Sequence, residues 1–169
     1  MPKIFINPGH GGADPGVIGN GLHEAEVVLK IGRRVEHYLR TVGYDVRLFQ
    51  FDGLEEICDA ANYYDADLFV SIHCNAFDGQ ACGTEVYFCS EKDWFLAGKL
   101  YRQITNSIPQ LSRRGIKQAG FYVLANTVMP AALVETAFID NPRDAELLVS
   151  EEDTFARAIA RAISDFFRG

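Results

Sequence analysis

Asp67 to Cys74 is a nearly continuous apolar run, Leu68-Phe69-Val70-Ser71-Ile72-His73 between its ends. A strand this apolar needs cover on both faces, which is the situation of a central strand in a mostly parallel sheet. The flanking sequence supplies that cover. Lys3–Asn7, Asp45–Gln50, Gly83–Cys89, Phe121–Leu124 and Ala131–Phe138 read as further strands. Between them, Glu24–Arg40 repeats apolar residues at one-face helical spacing (Val27, Val28, Ile31, Val35, Leu39). Leu54–Tyr64, Lys92–Ile108 and Thr154–Phe167 follow as helices, and Asn141-Pro142 opens another, with Asn as cap and Pro in the first turn. Ala13–Gly21 and the polar, basic Ser112–Gly120 read as loops. This alternation predicts an α/β fold: one domain over residues 1–169, built on a twisted, mostly parallel six-stranded sheet with helices on both faces.

At 169 residues the chain can bury a sizeable core without crosslinks. Its four cysteines, Cys58, Cys74, Cys82 and Cys89, lack paired CxxC spacing and read as free thiols rather than a disulfide framework or a structural zinc site. A formal net charge of −7 argues against a nucleic-acid partner. No run reaches transmembrane length, so membrane insertion is not expected. The N-terminus has strand character rather than that of a signal peptide.

Polar residues with chemical potential fall where strands end. His10 follows the first strand in Asn7-Pro8-Gly9-His10-Gly11-Gly12, a turn whose glycines permit unusual backbone conformations. His73 closes the most apolar strand, and Glu135 interrupts another within Leu133-Val134-Glu135-Thr136. Glu24 begins the first helix. A histidine or glutamate in an apolar strand is costly unless paired, hydrogen-bonded or metal-bound. Two imidazoles with one carboxylate make a usual donor set for hydrolytic zinc, and a further carboxylate supplies the general base. His23, beside Glu24, is an alternative third ligand. Singly, each has a bland reading: an edge histidine, or a glutamate favouring the helix dipole. His37 falls on the polar side of its helix and reads as solvated.

Together with Asp14-Pro15-Gly16, Gly21-x-x-Glu24, Ala61-Asn62, Ala66 to Ala76, Arg114-Gly115-Ile116-Lys117 and Val134 to Asn141, these motifs resemble, in order along the whole chain, the zinc-dependent N-acetylmuramoyl-L-alanine amidases of the amidase-3 family. The resemblance implies zinc held by His10, Glu24 and His73, with Glu135 as the catalytic carboxylate. It implies a peptidoglycan substrate; the chain is expected to act as a monomer, at the cell wall, in the periplasm or outside the cell. Val28-Leu29 stands where the family commonly has Asn-Leu, and Ile57 where it often has Arg. No inhibitory helix insertion is visible between Leu68 and Glu135, which predicts an open site. Ser71 and Asn75 are expected to support the metal ligands, and Arg113–Lys117 with Phe121-Tyr122 to grip the stem peptide. A zinc peptidase cutting within the stem, and a non-catalytic wall-binding module, are the competing readings.

Overall fold

The computed structural model describes residues 1–169. Its strands are β1 (Lys3–Pro8), β2 (Ile18–Gly19), β3 (Leu22–His23), β4 (Asp45–Leu48), β5 (Leu68–Asn75), β6 (Thr84–Phe88), β7 (Arg113–Gln118) and β8 (Ala131–Phe138). The helices are α1 (Glu24–Thr41), α2 (Leu54–Tyr63), α3 (Glu91–Ser107), α4 (Tyr122–Ala125), α5 (Pro142–Ser150) and α6 (Glu152–Arg168). Six strands form one sheet in the order β4-β1-β5-β8-β6-β7. β4, β1, β5 and β8 are mutually parallel, β6 runs antiparallel to β8, and β7 is parallel to β6. The start of β6 therefore lies at the same sheet edge as the ends of β1, β5 and β8. The α/β architecture, the count of six sheet strands and the helices on both faces agree with the sequence, though one of the six is a different segment from the one expected.

Alternation along the strands sorts side chains to two faces. Ile4, Ile6, Leu68, Val70, Ile72, Ala132, Val134 and Val86 join a large apolar cluster with residues of α1, α3 and α6. Phe5, Phe69, Ala131 and Leu133 point the other way, into a smaller cluster with α2 and α4. The predicted stripe of α1 is buried throughout. The Asn141 side chain accepts from the Arg143 and Asp144 amides, with Pro142 in the first turn of α5, as its sequence indicates. Ser90 and Asp93 form a capping box at the start of α3.

Three assignments differ from the sequence reading. Residues 113–118, expected within a loop, form β7, an edge strand whose polar side chains face solvent or a buried carboxylate. Phe121–Leu124, expected as a strand, instead gives the single turn α4, whose Val123 and Leu124 fill the smaller cluster. The 13–21 loop contains β2, which pairs with β3 across Asn20-Gly21, both at positive φ (50° and 76°). Positive φ at both central residues is what a tight two-residue hairpin turn demands. All four cysteines are free; Cys58 and Cys74 are buried, Cys82 and Cys89 half-buried.

Strand β8 is fastened at both ends by buried aspartates. Asp93 Oδ1 accepts the Ala131 amide at 2.9 Å, and Asp144 Oδ2 accepts those of Phe138 at 2.9 Å and Gly83 at 2.7 Å. Such charge-assisted bonds fix the height of β8 relative to its neighbours.

Candidate functional site

At the shared sheet edge the fold brings His10, Glu24 and His73 together, with one donor atom from each lying within 4.8 Å of the others. His10 sits at φ 61°, an unusual conformation for a residue with a side chain, and Gly11 and Gly12 follow at φ 116° and 58°. The turn is tied down by Gln50, whose Nε2 donates to the carbonyls of Gly9 (3.2 Å) and Ala25 (2.8 Å). Close approach dictates two glycines here. A Cβ on Gly9 would lie 2.2 Å from His73 Cε1, and one on Gly16 would lie 2.7 Å from both Glu24 Oε2 and His10 Cδ2.

Glu24 is the first residue of α1 and is 1 % exposed, whereas His23, at the cap position, is exposed and outside the cluster. Both Glu24 oxygens are bonded. Oε1 faces His73 Nδ1 at 3.2 Å and accepts the Cys74 amide at 3.0 Å; Oε2 faces His10 Nε2 at 3.0 Å and accepts the Val17 amide at 3.0 Å. Burial alone would raise this carboxyl's pKa, but the bonds from His10, His73 and Val17 hold it well below the usual range. His10 is pushed up to about 9, chiefly by its bond to Glu24, with burial opposing and Asp14 reinforcing. Positive charge is therefore favoured between these three donors, and two imidazole nitrogens with a carboxylate suit a divalent zinc. The residues present fit the metal that the sequence implies.

Each imidazole is oriented from behind. His10 Nδ1 lies 2.7 Å from Asp14 Oδ2, while Asp14 Oδ1 accepts the Gly16 amide at 2.9 Å. Behind His73 stands a relay. Asn7 Nδ2 donates to the carbonyls of Phe49 (3.0 Å) and Pro8 (3.3 Å), which turns Asn7 Oδ1 towards Ser71. The Ser71 hydroxyl donates to that oxygen at 2.8 Å, so at 3.1 Å its own oxygen can only accept from His73 Nε2–H. A metal held between these groups would take the His73 Nδ1 lone pair in place of the Nδ1–H bond to Glu24, with Nε2–H kept on Ser71.

Glu135, on β8 directly beside His73 on β5, completes the cluster. Its Oε2 is shut off from solvent and has no hydrogen-bond partner. Burial pushes its pKa up to about 7, with His73 opposing and the nearby Glu24 and Glu85 adding to the rise. These groups line a cavity of about 350 Å³ walled by Phe51, Leu54, Ile57, Phe121, Tyr122 and Val123. Of the helices between β5 and β8, α3 packs on the other face against α6 and α4 forms a wall of the cavity.

The sequence reading placed Ser71 in its supporting position, but Asn75 supports Glu85 instead, donating Nδ2 to Glu85 Oε1 at 2.8 Å. Asp14 and Asn7 were not singled out for these roles. A carboxylate four residues after a histidine in a tight turn is the signal that could have found Asp14.

Residues 4–165 match the amidase-3 family, described as N-acetylmuramoyl-L-alanine amidase. The protein YqiI of Bacillus subtilis (strain 168) is 38% identical, over 97% of this chain and 84% of YqiI. The N-acetylmuramoyl-L-alanine amidase LytC of the same organism is 40% identical over 98% of this chain, which spans only 35% of LytC. Among solved structures, the N-acetylmuramoyl-L-alanine amidase AmiC2 of Nostoc punctiforme superposes with a TM-score of 0.95 at 34% identity, covering 99% of this chain and 98% of that one.

Proposed function

The chain belongs to the N-acetylmuramoyl-L-alanine amidase family, and on that premise we propose that residues 1–169 act as a catalytic domain cleaving the amide between N-acetylmuramic acid and L-alanine in peptidoglycan, with zinc held by His10, Glu24 and His73 and with Glu135 as the base. The observation that carries the reading is the convergence, on one sheet edge, of a three-donor cluster and a buried carboxylate oxygen left without a partner. No helix of the chain is long and apolar enough to cross a membrane. The place of action is the cell wall, where the substrate is.

Zinc, when bound, supplies Lewis acidity and draws the pKa of water towards ~7. The protein's own groups do the rest. Asp14 and the Asn7–Ser71 relay hold the two imidazoles in the orientation that presents their lone pairs. Val17 and Cys74 amides fix the two oxygens of Glu24 in place. The Glu135 carboxylate takes the proton of the attacking water and returns one to the departing amine of L-alanine. A carboxyl whose pKa lies near neutrality can do both. The aromatic walls, Phe51 on one side and Phe121-Tyr122 on the other, exclude water from the reacting amide and offer apolar surface to the sugar and peptide.

Mass spectrometry of purified muropeptides after digestion, with and without chelator, tests the reading. Release of intact peptides with a free L-alanine amine, abolished by chelator and restored by zinc, is expected. Cleavage only within the stem peptide would replace the proposal with a peptidase. Binding without cleavage would leave a wall-binding module.

A further inference from the structure

A second cluster of charge lies on the same face, one strand beyond Glu135. Glu85 on β6 pairs directly with Glu135 across the antiparallel ladder, so their Cβ atoms are about 5 Å apart. Glu85 is 2 % exposed and fully bonded. Its Oε1 accepts from Asn75 Nδ2 at 2.8 Å and the Tyr87 hydroxyl at 2.9 Å; its Oε2 accepts from Arg114 Nε at 3.0 Å and from Lys117 Nζ. One cation would neutralise one buried carboxylate. Here there are two, against Glu85 and its ladder partner Glu135, and only Glu85 is bonded to them.

The second cation is held ready rather than tied up. The Arg114 guanidinium is fixed at Nε by Glu85 and lies 4.8 Å over the Phe138 ring, yet its terminal amino groups make no hydrogen bond to this face of the sheet. Arg114 and Lys117 side chains are 34% and 40% exposed. A guanidinium pinned at one edge and on one face presents its remaining N–H groups in a set direction, which is what planar recognition of a carboxylate uses. Phe121 packs edge-on against Tyr87 with ring centroids 4.9 Å apart, joining this patch to the cavity wall.

Resting on the amidase reading above, we infer that Arg114 and Lys117 form a carboxylate-binding subsite for an acidic residue of the stem peptide one or two positions beyond the scissile amide. The reach agrees. β7 lies two strand spacings from β8, about 10 Å, and the cationic groups converge on Glu85 between them. An extended peptide advances about 3.5 Å per residue, so a side-chain or main-chain carboxylate of the residue after L-alanine arrives at this distance.

The test uses two synthetic muramoyl peptides that differ only in the residue after L-alanine, which carries a free carboxylate in one and the carboxamide in the other. The intact protein loaded with zinc is expected to favour the carboxylate in kcat/KM by roughly 10-fold or more, the worth of a charge-assisted bond, with the preference shrinking as salt rises. Lys117→Met, which leaves Arg114 to balance Glu85, should bring the ratio close to one, and Arg114→Lys should retain part of it. The same order of preference is expected in Kd measured by calorimetry on Glu135→Gln, which reads binding without turnover. Equal use of both peptides by the wild-type protein, or a preference that survives Lys117→Met while only thermal stability falls, would assign the two cations to Glu85 alone. If neither peptide is cut at the muramoyl amide, the amidase reading itself fails and the subsite falls with it.

Discussion

The two faces of the central sheet are made from the same strands and do opposite work. On one, Ile4, Ile6, Leu68, Val70, Ile72, Ala132 and Val134 are aliphatic from end to end, and α1, α3 and α6 close over them in a cluster of 31 buried residues. On the other, each strand begins apolar and ends polar: Phe5 then Asn7, Phe69 then Ser71 and His73, Leu133 then Glu135. There α2 and α4 cover only the apolar end, with a cluster of 11, so the polar end stays open to a ligand. The difference shows how a strand that reads as uniformly apolar can hold both the core and the chemistry. Its period of two lets neighbouring residues answer to different demands.

Neighbours on β8 give the severest test of that division. Val134 is fully buried on the aliphatic face, and Val134→Asp places an unpaired carboxylate there. Loss of cooperative folding is expected by circular dichroism, because a desolvated charge without a partner exceeds what a domain of this size tolerates. A native melting curve for this variant would break the comparison. One residue on, Glu135→Gln should keep the melting temperature of the metal-free protein within a few degrees, retain zinc, and lose activity by roughly 10²–10⁴-fold. Loss of zinc from it would make Glu135 a ligand instead of the base.

A smaller effect is expected behind the imidazoles. Asp14→Asn removes the carboxylate from His10 Nδ1 and should weaken zinc binding by about 10–100-fold in a competition titration while scarcely altering stability, since Asp14 is exposed. Unchanged affinity would mean that the glycine turn alone orients His10.

The mildest test is pH. Burial would raise the pKa of Glu85, but Lys117, Tyr87 and Arg114 hold it below the ordinary value of 4.5. A carboxyl depressed in the folded state contributes stability that is present above its unfolded pKa and lost as pH falls through the folded one. Acid titration of the melting temperature should therefore show a shallower decline below pH ~4.5 in Glu85→Gln than in the wild type. Parallel curves would show that Glu85 gains nothing from its cations.

The strands of the parallel core, the apolar stripe of α1 and the cap of α5 were legible because each follows a local rule: a period, a cap or a continuous apolar run. His10, His73 and Glu135 were legible as exceptions to those rules, polar groups at the ends of apolar strands. β7 was not, because Arg113-Arg114-Gly115-Ile116-Lys117-Gln118 has its charges satisfied by Glu85, a residue far away in sequence. Between the adjacent His23 and Glu24 the resemblance chose Glu24, and in the fold Glu24 is buried while His23 is exposed.

That edge position of β7 has a cost for protein engineering. An unpaired edge strand offers its free amides and carbonyls to any neighbouring chain, and charged side chains are the usual guard against such pairing. Arg113, Arg114 and Lys117 supply that guard, with Gly115 at φ 94° bending the strand between them. Replacing both Arg114 and Lys117 by neutral residues to alter substrate preference would leave Ile116 at the centre of a bare sheet margin. Solubility, rather than turnover, would then set how far the substrate range of this enzyme can be redrawn, and a compensating charge at Gln118 would belong in the design from the start.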